Sequence, residues 1–180
     1  MYRRLLSLFA ILVMGMASAG AVQAAKIGEA IPHDLALKDQ AGAEADFTSL
    51  KGEKGLVVLF VRSAEWCPFC QVKLKDFAAR YDDFKKRGYE VASVSYDSIE
   101  VLNRFSIENE APYKMLSDPS SESIRAFGIL NEKYEETSRF YGIPNPTIYV
   151  INAEGMITHM FSEDGYKARP PIDGILLALD

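Results

Sequence analysis

Trp66-Cys67-Pro68-Phe69-Cys70 holds the only two cysteines of the 180-residue chain, at the point where an apolar run gives way to a helical pattern. Upstream, Gly55-Leu56-Val57-Val58-Leu59-Phe60-Val61 is continuous and rich in β-branched residues, and it is bounded by Gly55 and Arg62-Ser63. It reads as a strand buried on both faces. Downstream, Leu74, Phe77, Tyr81 and Phe84 recur at helical spacing, with Lys73, Lys75, Asp76, Arg80, Asp82 and Lys85 between them. That is one amphipathic helix, stopped at Gly88. Pro68 suits the first helical position, where its missing N–H costs nothing, which places Cys67 at the N-cap.

A cysteine there faces the positive end of the helix dipole and unpaired backbone N–H groups, both of which favour thiolate over thiol. Cys67 is therefore the expected nucleophile. Cys70, one turn on, lies on the same side and can attack a disulfide formed at Cys67. Two other readings stand behind this redox one. A structural bridge would close so short a loop that little unfolded-state entropy is removed. A zinc site needs two more ligands, and His33 and His159 are not in ligand spacing. Neither a metal nor a cofactor beyond the Cys67/Cys70 couple is expected.

The N-terminus stands apart. Met1-Tyr2-Arg3-Arg4 is basic, Leu5 through Met16 is apolar, and the small-residue stretch after it ends in Val22-Gln23-Ala24. This reads as a signal peptide over 1–24, since the apolar core is short of the roughly 20 residues of a membrane span. The remaining 25–180 make one domain. Loss of Arg3 and Arg4 takes Lys+Arg from 20 to 18 against 25 acids, so the net charge of −5 becomes −7. Such a balance disfavours nucleic acid and anionic membrane as partners. The expected location is periplasmic or otherwise extracytoplasmic, where a dithiol needs a dedicated electron donor to stay reduced.

Along the chain, 34–37 reads as a short strand, 48–52 as a helical turn, and 89–95 as a second core strand. Asp97-Ser98 can cap a helix carrying Ile99, Leu102, Phe105 and Ile107. A short strand over 113–116, the turn at Asp118-Pro119 and a short helix stopped at Gly128 follow. Residues 129–142 read as a loop or exposed helical turn. Thr147 to Ile151 and Met156 to Phe161 form a hairpin, and Pro170-Pro171 starts a last helix with Ile172, Ile175, Leu176 and Leu179 on one face. This order implies an α/β domain, a mixed sheet with helices on both faces.

The strand, Trp66-Cys67-x-x-Cys70, helix and strand, followed by Ile143-Pro144-Asn145-Pro146-Thr147 and a hairpin, resembles the thioredoxin-like fold. More narrowly the chain resembles the AhpC/TSA redoxins, or peroxiredoxin-like proteins, over about 26–180. The features carrying this are Ile27-Gly28-Glu29-Ala30-Ile31-Pro32, Ser117-Asp118-Pro119 and Gly142-x-x-x-Pro146-Thr147. The resemblance makes Cys67 the attacking thiol and Cys70 the resolving one. It makes Trp66 a wall of the site, with Pro68 inside the dithiol. Pro146 becomes a cis proline whose neighbours Asn145 and Thr147 would meet an extended substrate; a trans proline at a strand entrance is the plainer reading. There are departures. Peroxiredoxins place a proline and a Thr or Ser where Phe60 and Ala64 stand, and their arginine is replaced around Asn145-Pro146. The buried acid of thioredoxins falls at Val61. Glu65 is the nearest carboxylate, read first as a solvated loop acid and second as a proton acceptor. Arg62 is read first as a surface or ion-pair residue and second as a cation that lowers the Cys67 pKa.

The leading expectation is thus an exported thiol-disulfide oxidoreductase acting on a protein or small-molecule disulfide or thiol. The alternative is an AhpC/TSA-type thiol peroxidase, with Cys67 peroxidatic and Cys70 resolving. A third reading is a redox-gated binding module, motivated by the acidic 129–142 stretch.

Overall fold

The computed structural model describes residues 23–162 and 171–180; residues 1–22 of the expected 1–24 leader, and Pro170 at the expected start of the last helix, lie outside them. In chain order the elements are β1 (Leu37–Asp39), β2 (Glu44–Ala45), α1 (Phe47–Leu50), β3 (Gly55–Phe60), α2 (Pro68–Ala79), α3 (Tyr81–Lys86) and β4 (Tyr89–Ser95). Then come α4 (Ile99–Glu108), β5 (Lys114–Ser117), α5 (Glu122–Ala126), β6 (Thr147–Asn152), β7 (Ile157–Ser162) and α6 (Ile172–Leu177). The described strands form one mixed sheet in the order β2-β1-β5-β4-β3-β6-β7.

β3 is the centre. It pairs in parallel with β4, from Gly55↔Tyr89 to Phe60↔Val94, and antiparallel with β6, from Gly55↔Asn152 to Phe60↔Thr147. Every residue in it is buried, so the unbroken apolar run is what two covered faces require. Val57 and Leu59 join Leu74, Phe77, Phe84, Leu102, Ile175 and both cysteines on one face; Leu56, Val58 and Phe60 join Leu116, Ile124, Phe127 and Tyr149 on the other. The period-2 alternation of a strand thus divides the core in two. Helices α2, α3, α4 and α6 cover the cysteine face, while α1 and α5 cover the opposite one.

Several expectations shift. The helix after the dithiol is two helices, broken at Arg80 (φ −111°, ψ 11°), whose side chain reaches Asp83 at 2.6 Å and Asp173 at 2.8 Å. The kink lets Phe84 stack on Phe77, with centroids 5.1 Å apart and planes 12° apart. The strand expected at 34–37 starts at Leu37, because Leu35 turns inward with a left-handed φ of 59°. Ile107 is exposed rather than part of the α4 face. The last strand runs one residue later, over Ile157–Ser162.

Gly55 opens the central strand with φ +147°, and a Cβ there would stand 2.0 Å from the Ile151 carbonyl oxygen. Both the backbone angle and the close approach of β6 exclude a side chain. Gly55→Ala is expected to cost at least ~3 kcal/mol, read as a lower urea midpoint at unchanged slope.

Candidate active site

The site is built where β3 ends. Val61 adds one more ladder bond, from its N–H to the Val94 carbonyl (3.0 Å), and the chain then leaves the sheet through Arg62-Ser63-Ala64-Glu65-Trp66. Arg62, Ser63 and Ala64 are buried, so their polar groups need internal partners. Asp97, just past β4, supplies them for Ser63 and Ala64: Ser63 Oγ donates to its Oδ1 (2.8 Å), and the Ala64 N–H donates to its Oδ2 (2.7 Å). Ser95 Oγ also donates to Oδ2 (2.8 Å). Ser63 Oγ in turn accepts from the N–H groups of Glu65 (2.9 Å) and Trp66 (3.3 Å). From the other side, Gln71 Nε2 donates to the carbonyls of Ala64 (3.0 Å) and Glu65 (2.7 Å).

This loop delivers Cys67 to the N-cap of α2, with extended backbone (φ −100°, ψ 95°) and Pro68 in the first turn. The Cys70 N–H points at Cys67 Sγ, 3.3 Å away. A thiolate at that sulfur would accept the same hydrogen bond at the positive end of the helix. The two cysteines are joined as a disulfide, with Cα atoms 5.2 Å apart, and both are buried. Pro68 and Phe69, between them, are exposed.

Trp66, which the sequence proposes as a wall of the site, is half-buried just before Cys67. Its Nε1 donates to Tyr96 Oη (2.8 Å), and its ring packs on Phe140 with centroids 4.8 Å apart. Phe140 packs in turn on Tyr134, so the stretch over 129–142 reaches the dithiol as an aromatic second layer.

Other predicted positions fall differently. Arg62 is not a surface residue: it is buried, its guanidinium carbon 5.9 Å from the Trp66 ring centroid, a stacking that suits a weakly hydrated planar cation. Glu65 is half-exposed and pairs with Arg104 at 2.6 Å, the solvated loop acid of the plainer reading. Among the described residues no peptide bond is cis, so Pro146 is trans. It sits just ahead of β6, where a missing N–H leaves the ladder intact. Asn145 is exposed, with its Nδ2 bonded to the Leu130 carbonyl (3.3 Å) and its N–H to the Ile129 carbonyl (2.6 Å). Pro146 and Thr147 do reach the dithiol helix, lining a crevice of about 10 Å³ with Val61 and Lys73, too small for a ligand. A polar cleft of about 190 Å³ opens on the other side of the loop, lined by Ala64, Glu65, Gln71, Lys75 and Arg104 among others.

Asp97 and Tyr96 are the functional neighbours the sequence concealed. Asp97-Ser98 has the form of a helix cap, but only Ser98 caps α4, accepting from the Val101 N–H (3.4 Å), while Asp97 turns inward. Its one sequence signal is an acid two residues past the end of a buried strand. Among the described residues no group of three or more His, Cys, Asp or Glu side chains could hold a metal, and no helix is long and apolar enough to cross a membrane.

The model of the AhpC/TSA family matches residues 27–160. The chain belongs to the AhpC/TSA family. It is similar to Peroxiredoxin Bcp of Escherichia coli K12, 29% identical over 151 residues covering 84% of this chain and 93% of that protein. It is also similar to the chloroplastic Peroxiredoxin Q of Sedum lineare, 28% identical over 148 residues, 82% of this chain and 75% of the other. In fold it matches the crystal structure of peroxidoxin BcpB from Mycobacterium tuberculosis, with a TM-score of 0.73 over 86% of this chain and 96% of that one at 21% identity. This AhpC/TSA protein has the thioredoxin-like fold and is an oxidoreductase.

Burial raises the Asp97 carboxyl above its ordinary value of 3.8, against the pull of the Ala64, Ser63 and Ser95 hydrogen bonds, and the nearby Glu65 adds to the rise. A raised carboxyl binds a proton more tightly in the folded state. Its contribution to stability is therefore full below the unfolded value and is lost as pH rises through the folded one. Asp97→Asn cannot titrate. The stability of wild type relative to Asp97→Asn is expected to be greatest below pH ~4 and to fall towards pH 7, measured by urea unfolding at both pH values.

Proposed function

We propose that this protein reduces peroxides, with Cys67 as the attacking thiolate and Cys70 as the resolving thiol. The observation that carries the reading is the placement of Cys67 at the α2 N-cap, with Cys70 in bonding reach, in a chain similar to peroxiredoxins over more than four-fifths of its length. The Cys67 thiolate attacks one oxygen of the O–O bond, and that bond breaks, giving the alcohol or water and a sulfenic acid on Cys67. Cys70 then attacks the Cys67 sulfur and expels water, forming the disulfide. The dithiol has supplied two electrons, and an external thiol or dithiol donor returns them.

This order reverses the one drawn from the motif alone, which puts disulfide exchange first. A second reading keeps exchange, and a specific feature favours it: Ala64 offers only its backbone N–H, already taken by Asp97, where the family resemblance calls for a hydroxyl beside the peroxide. The stretch over 129–142, which suggests a binding module, instead supports the site wall through Phe140. Export of the chain after removal of 1–24, and a periplasmic or otherwise extracytoplasmic setting, belong to this proposal on the strength of the basic, apolar and small-residue leader.

Mixing reduced residues 25–180 with hydrogen peroxide in stopped flow decides between the two. A fully ionised thiol exceeds a free cysteine by roughly thirtyfold at pH 7 from ionisation alone, and a peroxidase is expected to exceed that figure. Cys67→Ser should abolish the reaction, and Cys70→Ser should accumulate a sulfenic acid that dimedone traps. Oxidation no faster than that of free cysteine, with rapid exchange against a small disulfide, would leave the exchanger.

A further inference from the structure

We infer that Asp97 is a positioning residue for Cys67, holding the Ser63–Trp66 turn in the one arrangement that puts the Cys67 sulfur on the helix N-terminus. The inference rests on Cys67 as the attacking thiol, whatever it attacks.

Asp97 is 6% exposed and accepts three hydrogen bonds, two of them from Ser63 and Ala64, the residues four and three positions before Cys67. Through Ser63 Oγ the carboxylate also orders the next two N–H groups, those of Glu65 and Trp66. Tyr96, its neighbour, holds the indole of Trp66 by the Nε1 hydrogen bond. The end of β4 thus grips every residue from Ser63 to Trp66, while Gln71 ties the same turn to α2. The direction in which the chain enters α2 is fixed from both sides.

That direction decides the chemistry of Cys67. An N-cap side chain meets the free N–H groups only while its own backbone stays extended, as it is here. If the turn relaxes, Sγ leaves the Cys70 N–H and the thiolate loses its hydrogen bond and its place on the dipole. Asparagine at position 97 keeps the shape, and its one acceptor oxygen can take both the Ala64 N–H and Ser95 Oγ, which share Oδ2, but its NH2 then faces Ser63 Oγ, which already accepts from the Glu65 and Trp66 N–H groups. The Ser63 anchor is the one lost.

Asp39 provides the control. It is also a buried carboxylate accepting two backbone N–H bonds, from Ala41 (2.8 Å) and Ala43 (3.0 Å), with Lys114 Nζ as its third donor (2.5 Å), and it lies on β1, separated from β3 by β5 and β4. Asp39→Asn likewise replaces a buried, triply bonded carboxylate by an amide, far from the dithiol.

The test is the rate of iodoacetamide alkylation of Cys67 in reduced Cys70→Ser protein, full chain from residue 25, alone and with Asp97→Asn or Asp39→Asn, with urea midpoints taken for each. It does not involve peroxide, so it fails or succeeds independently of the peroxidase reading. Asp97→Asn is expected to slow alkylation at pH 7 about fivefold and to move the half-maximal point of its pH profile upward. Asp39→Asn should stay within about twofold while losing comparable stability. If Asp97→Asn does not fold, Ser63→Ala removes the hydroxyl that Oδ1 holds and should slow alkylation at least about twofold. An unchanged rate in Asp97→Asn, or in Ser63→Ala in its place, overturns the inference. So does an equal slowing in Asp39→Asn.

Discussion

The double pairing of β3 constrains everything near the dithiol. A strand hydrogen-bonded on both edges and covered on both faces cannot slide, since a one-residue slip would exchange the Val57/Leu59 face with the Leu56/Val58/Phe60 face. Its end at Val61 is therefore a fixed point. The six residues from there to Cys67 must turn back onto the sheet while four of them are buried, and turns of that kind leave polar backbone groups without ladder partners. Asp97 on one side and Gln71 on the other meet this demand. The buried acid is thus required by the topology before any chemistry is asked of it.

How legible this was depends on the range over which each signal acts. The central strand, the β4 boundaries at Tyr89 and Ser95, and Cys67 at the helix start are set by local periodicity and by Pro68, so they can be read directly. The break at Arg80 cannot, because it is set by Asp173 nearly a hundred residues away and by the stacking of Phe84 on Phe77. Asp97 is concealed by a local rule that gives the wrong answer: an acid before Ser98 looks like a cap, and only the arrival of the Ser63–Ala64 turn makes the inward position favourable. The same holds for Arg62, whose burial depends on the Trp66 ring being held flat beside it by Tyr96 and Phe140. The thioredoxin likeness supplied a cis proline at 146 and a substrate face at Asn145; here the trans peptide and the tie of Asn145 to Leu130 put that stretch to work joining β6 to the 129–130 backbone.

Motif and whole-chain similarity pull in different directions for a physical reason. Two cysteines at N-cap and third helical position are sufficient for thiol-disulfide exchange, so the motif by itself ranks exchange first. Peroxide cleavage asks for the same thiolate and for donors to the departing oxygen as well, and these come from residues scattered along the chain that no short motif contains. The similarity to Bcp and Peroxiredoxin Q runs through the entire domain, and it therefore bears on those scattered positions. At one of them, Ala64, the side chain cannot donate a hydrogen bond at all.

Access to the sulfurs separates the two half-reactions. Cys67 is 1% exposed and Cys70 is 0%, beneath Trp66 and the exposed Pro68-Phe69 turn. A peroxide needs only a gap of a few atoms to reach Sγ, and its reacting bond lies at the end of the molecule. A protein disulfide must bring two chains and a linear sulfur–sulfur–sulfur approach to the same point. The structure holds the disulfide, and its burial means that reduction by a bulky dithiol requires the Trp66–Phe69 turn to open. The loop that Asp97 holds on one side is the loop that reduction of the disulfide must loosen on the other.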